Sequence, residues 1–224
     1  MRTENLPSRS FRRLCLAAGL LCLSGTALAG GQNKLFDARE AVRTSFFKEL
    51  YFAGGEALWC QTKFTDPGAR IAADQIYQVP WIKDAVGCTT RQQCDADRDY
   101  QRMTSDLHNM YPAEKRVQLD RRNIMFDKVS NSDPLPEPSC QYKMFGGQME
   151  PGDAIRGEVA RAVLYMHAEY GVKVPGPVNM FIDWHYADPP SADEKKRNDI
   201  IEKIQGNRNR FIDNPKEADK FRAR

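Results

Sequence analysis

Asp106-Leu-His-Asn-Met-Tyr-Pro112, followed by Asp120-Arg-Arg-Asn123-Ile-Met-Phe126, is the stretch around which the chain is organised. Polar side chains able to hold a metal ion or orient a ligand (Asp106, His108, Asn109, Asn123) alternate here with apolar anchors (Leu107, Met110, Met125, Phe126). Such alternation lets buried neighbours hold polar atoms in place. The first half also fits a plainer reading, a helix end capped at Asn109 with Pro112 beyond it. Local pattern leaves both readings open.

A chain of 224 residues suffices for one domain with a sizeable core, and nothing in its composition asks for two. Residues 1–29 read as a secretory signal. Arg2, Arg9, Arg12 and Arg13 precede an apolar run from Leu14 to Leu23, and Ala27-Leu28-Ala29 has the small-x-small form of a cleavage site. The apolar run is much shorter than the roughly 20 residues that cross a bilayer, so no stable membrane anchor is expected. The expected product is a soluble, periplasmic or secreted monomer spanning residues 30–224. The whole chain carries 33 basic and 30 acidic side chains, and loss of the leader reduces both to 29. Net charge therefore gives no argument for a polyanionic partner, and nucleic acid would need a local basic patch.

Cys60, Cys88, Cys94 and Cys140 remain after the leader is removed. An even number in an exported chain reads as disulfides, with three pairings available. We prefer Cys88–Cys94 as a local clip and Cys60–Cys140 as a long-range staple. A four-cysteine zinc site lacks the close Cys-x-x-Cys pair it would need.

Ala38, Val42, Phe46 and Leu50 recur every four positions, which predicts an amphipathic helix from Leu35 to Phe52, ended by Gly54-Gly55. Ile71 to Trp81 alternates as a strand or hairpin arm, and Asn131 to Pro138 has the composition of an exposed connection. A helix is expected from Gly152-Asp153, capped by Asp153, with Arg156 and Arg161 off its apolar face and Gly171 as its stop. Phe181, Ile182 and Trp184 form a short apolar element. Ser191-x-x-Glu194 is a capping box opening a last helix that Gly206 closes. Asn207 and Asn209 are expected to tie the tail to the core, and Lys216 to Arg224 to fray.

The central stretch resembles the endonuclease I family of bacterial periplasmic and secreted nucleases, which carry a ββα-metal (His-Me finger) site. The resemblance extends through Glu150-Pro-Gly-Asp-Ala-Ile-Arg-Gly-Glu-Val-Ala-Arg-Ala-Val-Leu-Tyr-Met166, Trp184, Asp188-Pro189, Glu194-Lys-Lys-Arg-Asn198 and Gln205-Gly-Asn-Arg-Asn-Arg-Phe-Ile212. It implies a single α+β domain, mainly helical, with a small ββα-metal element. It also implies sequence-nonspecific hydrolysis of DNA, and of RNA, assisted by Mg²⁺, Mn²⁺ or Ca²⁺.

In that family a Glu-His-Val-x-Pro motif supplies a metal-binding carboxylate and a general base. Aligning on Pro80 puts Ile76 at the glutamate position and Tyr77 at the histidine position, and a further family carboxylate falls on Thr104. Asn109 alone remains of the set. A general base is worth about 10²–10⁴-fold in rate, and Mg²⁺ is usually held by one or two carboxylates, so the ordinary mechanism should be severely impaired. A rebuilt site would draw on Asp74, which shares a strand face with Ile76, on Tyr77 as base or nucleophile, and on His108. The plainer reading of Tyr77 is a favoured strand residue. The resemblance makes Arg161 a phosphate ligand, and Arg121 and Arg122 supply local charge whose plainer reading is solvated surface. Two function classes follow, a metal-dependent endonuclease or a catalytically silent homologue that binds nucleic acid or another partner.

Overall fold

The computed structural model describes residues 30–130 and 140–222. The signal segment and the connection expected at 131–138 lie outside the described residues. The described chain is a mainly helical α+β domain in which the strands are short and the helices build the core.

The first helix begins as one α turn, α1 (Ala38–Ala41), capped by the Asp37 carboxylate, and continues as a π-helix over Val42–Leu50. It starts three residues later than its periodicity suggested. Phe46 and Leu50 are buried from it against Leu107, Met110 and Ile201. The hairpin β1 (Gly55–Glu56) and β2 (Lys63–Phe64) follows. Then β3 (Ile71–Gln75) pairs antiparallel with β4 (Met110–Glu114), with Ile71 opposite Glu114 and Gln75 opposite Met110. The strand expected as far as Trp81 ends at Gln75, because Pro80 falls at the start of helix α2 (Val79–Val86), where its missing N–H costs nothing.

Helices α3 (Arg91–Ala96) and α4 (Arg98–Thr104) carry the chain back to β4, and α5 (Lys115–Asp120) follows β4 directly, completing a β-β-α order. Strand β5 (Met125–Phe126) joins β6 (Tyr142–Phe145) and β7 (Gln148–Pro151) in the order β5-β7-β6. The disulfides are Cys60–Cys140 and Cys88–Cys94.

The centre of the molecule is α6 (Arg156–Tyr170), in which every residue from Val159 to Met166 is buried. Each fully buried Val, Leu or Met there contributes about 1.5–3 kcal/mol. Two expectations for α6 fail. Asp153 does not cap it; the Asp188 carboxylate, arriving from the far end of α7 (Val178–Ala187), accepts from Gly157 N–H at 2.9 Å. Arg161 does not lie off the buried face but is fully enclosed. The apolar run Phe181 to Trp184 belongs to α7, which packs extensively on α6.

The predicted capping box opens α8 (Ala192–Gln205), and Gly206 ends it in the left-handed conformation. Asn209 caps α9 (Arg210–Asp213) and donates to the Arg161 carbonyl at 3.1 Å. The tail is ordered further than expected: Pro215–Phe221 is a 3-10 helix with Ala218 buried and Phe221 against His167 and Phe211.

Glu194 has a further duty that its cap motif did not announce. Besides receiving Ser191 N–H, its two oxygens accept from Arg161 Nε and Nη2, each at 2.6 Å, and both side chains are buried. Removing one partner from such a pair leaves an uncompensated buried charge. Glu194→Ala should destabilise the fold by about 3–5 kcal/mol, read as a lower urea midpoint at unchanged slope.

Candidate functional site

At the end of β3 the residues carried over from the family motif come together, but with their polar atoms turned inward. Asn109 Oδ1 accepts from Tyr77 N–H at 2.7 Å and its Nδ2 donates to the Tyr77 carbonyl at 2.9 Å. Ile76 N–H donates to the Asn109 carbonyl at 2.9 Å. The Asn109 carboxamide thus closes on the backbone N–H and C=O of one residue, Tyr77, and Asn109 is fully buried. Ile76 is also fully buried, within the main apolar cluster. Thr104 Oγ1 donates to the Tyr100 carbonyl at 2.8 Å.

Tyr77 points its hydroxyl at the Lys173 carbonyl, to which it donates at 3.0 Å. Burial, helped by the charge of Asp84, pushes this phenol up to about 12. As placed it is a proton donor at neutral pH and not a base. Asp74 is enclosed: it accepts twice from Arg121 Nη1, at 3.0 and 2.9 Å, and from Trp59 Nε1 at 3.0 Å. Burial pushes the Asp74 carboxyl up against the opposing pull of Arg121. Arg121 also donates to the carbonyls of Gln75 and Ile76, and its guanidinium lies over the Trp59 ring at 4.8 Å.

Arg121 and Arg161 are therefore interior groups, each fixed to its own carboxylate and inaccessible to a phosphate as folded. Arg122 is exposed, as are Lys115 and Arg116 of α5, the latter 3.7 Å from Asp120. Asn123 takes a left-handed conformation (φ 64°), which asparagine tolerates better than most residues. Its N–H donates to Gln78 Oε1 at 2.6 Å. Gln78, whose role the sequence did not disclose, also donates to the carbonyls of Arg121 and Ile124.

His108 is fully buried, 4.7 Å from the Tyr165 ring, with Nε2 at 3.1 Å from the Asn207 carbonyl. That carbonyl requires the proton on Nε2. Burial holds His108 down at about 4, so it is neutral at physiological pH. Asp106 is the hub of this layer. Its Oδ1 accepts from His108 N–H at 2.9 Å and Gln205 Nε2 at 2.8 Å, and its Oδ2 from Tyr165 at 2.7 Å and Tyr170 at 2.6 Å.

The donor set does not fit a hard divalent cation at the Asn109 position. The Asn109 carboxamide has both amide atoms engaged, Ile76 offers no ligand atom in its side chain, and the β3 carboxylate of Asp74 is ion-paired. Among the described residues no cluster of three or more His, Cys, Asp or Glu side chains could hold a metal ion.

Two clefts open nearby. The larger, about 980 Å³, lies beside Tyr77 and Trp81, with Asp84, Asp97, Asp99 and Glu169 in its lining. The smaller, about 450 Å³, is lined by Tyr51, Tyr111, Glu158 and Arg197. Arg197 reaches across its floor, donating to Tyr51 at 3.2 Å with its guanidinium 4.2 Å from the Tyr111 ring centre. Burial, and then the charge of Glu194, pushes the Glu158 carboxyl up to about 8, while Arg161 and Arg197 oppose the shift.

The chain matches the family model described as Endonuclease I over residues 89–216. It is 35% identical to a periplasmic deoxyribonuclease of Aeromonas hydrophila, covering 92% of this chain and 97% of that protein. An extracellular deoxyribonuclease of the same organism is 33% identical, covering 55% of each chain. An extracellular ribonuclease of Bacillus amyloliquefaciens is 34% identical, covering 52% of this chain and 46% of its own length. The chain thus spans about half of the latter two relatives.

Glu158 gives a pH signature. Its folded value lies above the ordinary 4.5, so the folded state holds the proton more tightly. Its contribution is complete below about pH 4.5 and is lost as pH rises through about 8. His108 and His185, held down at about 4, act oppositely and weaken the fold below pH 6.5. Between pH 6.5 and 9 the urea midpoint should fall in the native chain and stay flatter in Glu158→Gln. Equal slopes in the two would mean that Glu158 is ionised in the fold.

Proposed function

Since the chain belongs to the endonuclease I family, we propose that it is an exported nuclease homologue whose inherited hydrolytic site is silent and whose remaining activity is binding nucleic acid. The observation that carries this reading is the Asn109 carboxamide closed on the backbone N–H and C=O of Tyr77, with Ile76 in the main apolar cluster. Binding would fall to the exposed cations Lys115, Arg116 and Arg122 around α5 rather than to the interior arginines. The protein works in the periplasm or outside the cell; its two disulfides suit an oxidising compartment. Among the described residues no helix is long and apolar enough to cross a membrane. We take the protein to be a monomer.

The second reading, a working nuclease, is favoured by the nearly full-length similarity to a periplasmic deoxyribonuclease. For that reading a group other than Asp74, Tyr77 or His108, as placed here, must take the proton of the attacking water. Water activation needs a base accepting at a workable pH, and these three are ion-paired, protonated or enclosed.

One plasmid assay separates them. The oxidised protein is incubated with supercoiled DNA and Mg²⁺, Mn²⁺ or Ca²⁺, with EDTA and Asn109→Ala controls. Under the silent reading the DNA remains supercoiled while labelled DNA and RNA oligonucleotides are still retarded. Affinity should fall as salt rises, and should fall further in Arg116→Ala/Arg122→Ala. Metal-dependent nicking abolished by both EDTA and Asn109→Ala would overturn it.

A further inference from the structure

The cleft beside Tyr77 holds an unexpected lining residue, Gly30, the position directly after Ala27-Leu28-Ala29. The few residues that follow are fastened to the cleft wall. Gly31 N–H donates to Glu169 Oε2 at 3.3 Å, and Gln32 N–H donates to the Tyr170 hydroxyl at 3.1 Å. Gln32 is fully buried: its Nε2 donates to the carbonyls of Leu35 and Arg102, and its Oε1 accepts from the N–H groups of Lys34 and Leu35. Arg102 answers from the other side, donating to the Gln32 carbonyl at 2.9 Å and to the Gly30 carbonyl. Gly31 sits at φ +54° with the Tyr170 ring where a Cβ would stand, so the strap follows this one path.

The lining of the cleft is weighted toward carboxylate, and further along the strap Arg98 donates to Asn33 and lies over the Phe36 ring. Asp84 of α2, Asp97 and Asp99 beside and on α4, and Glu169 of α6 line the cleft together with Arg102 and Lys173. Arg102 is paired with Asp99, and Glu169 with Arg210. Asp84 and Asp97 have no ion-pair partner among the described residues.

We propose that cleavage after Ala29 places the new α-ammonium of Gly30 among these carboxylates, where it completes the charge balance and locks the N-terminal strap. An attached leader replaces this cation with a neutral peptide bond at the mouth of the same cleft. The processed chain is therefore the tighter fold, and the effect reaches the centre through Tyr170, which donates to Asp106, the hub beside Asn109. The inference rests on export, not on hydrolysis, and is read from stability, so its failure and that of the binding proposal are distinguishable.

The experiment begins with N-terminal sequencing of the exported protein, for which Gly30 is the expected first residue. Three chains are then compared by thermal unfolding: one starting at Gly30, its Nα-acetylated form, and one starting at Leu28. An ordinary α-amino group titrates near 7.7–8.0, and neighbouring carboxylates raise that value in the fold. The stabilisation is then fully present below about pH 7.7 and lost as pH rises through the raised value. At pH 6.5 the free-amine chain should melt about 2–4 °C above both others, a gap that closes by pH 10. Asp97→Asn, which keeps an acceptor for Tyr100 N–H, should shrink the gap without unfolding the domain. A first residue other than Gly30, or equal melting of the free and acetylated chains at pH 6.5, overturns the proposal.

Discussion

The structure depends above all on the Asp106 carboxylate, which takes four hydrogen bonds inside the protein. Burying a carboxylate is expensive unless its lone pairs are met, and charge-assisted hydrogen bonds are about twice as strong as neutral ones. The donors come from widely separated stretches: the His108 amide, two tyrosines of α6 and Gln205 at the end of α8. Gln205 is shared further, its Oε1 accepting from Leu107 N–H at 2.9 Å, while Asn207 donates to Tyr165 at 2.6 Å. One charge thus fixes the turn that presents Asn109, the central helix and the C-terminal block. Loss of any donor would leave the rest to cover a buried anion, so the network forms as a unit.

Two further ion pairs have the same character and govern what the surface can do. Arg121 with Asp74, and Arg161 with Glu194, place two of the chain's arginines entirely inside. Each guanidinium also donates to carbonyls, those of Gln75 and Ile76 in one case and Asp188 in the other. Their planar forks, which would suit phosphate, are used as internal braces. The large cleft at Tyr77 carries more carboxylates than cations in its lining. Nucleic acid and that cleft are thus a poor electrostatic match.

Elements set by local rules were legible in the sequence. The Ser191–Glu194 capping box and the glycine stops at 171 and 206 appear where expected. The pairings Cys60–Cys140 and Cys88–Cys94 do as well. The residues that failed were those whose partners are distant in the chain. Arg161 sits within α6, and nothing nearby announces that Glu194 will meet it 33 positions later. Asp153 looked like the cap because it is adjacent, whereas Asp188 provides the hydrogen bond from 31 positions away. Tyr77 was a candidate base because its residue type was known and its environment was not. Burial and a carbonyl acceptor decide its protonation, and neither leaves a mark on periodicity.

Ile76 and Asn109 form one packed arrangement, joined by the Ile76 N–H bond to the Asn109 carbonyl. Ile76 is buried among the main apolar cluster, so a glutamate at this position would enter a dry site. Asn109, with both amide atoms on Tyr77, would have to break two hydrogen bonds at 2.7 and 2.9 Å before turning toward a cation. Unmet buried groups cost about 1–3 kcal/mol each, a penalty that metal coordination would have to exceed. The Ile76 side chain and the Asn109 clamp therefore reinforce one another: the apolar side chain dries the site, and in a dry site the carboxamide is best satisfied by the backbone beside it.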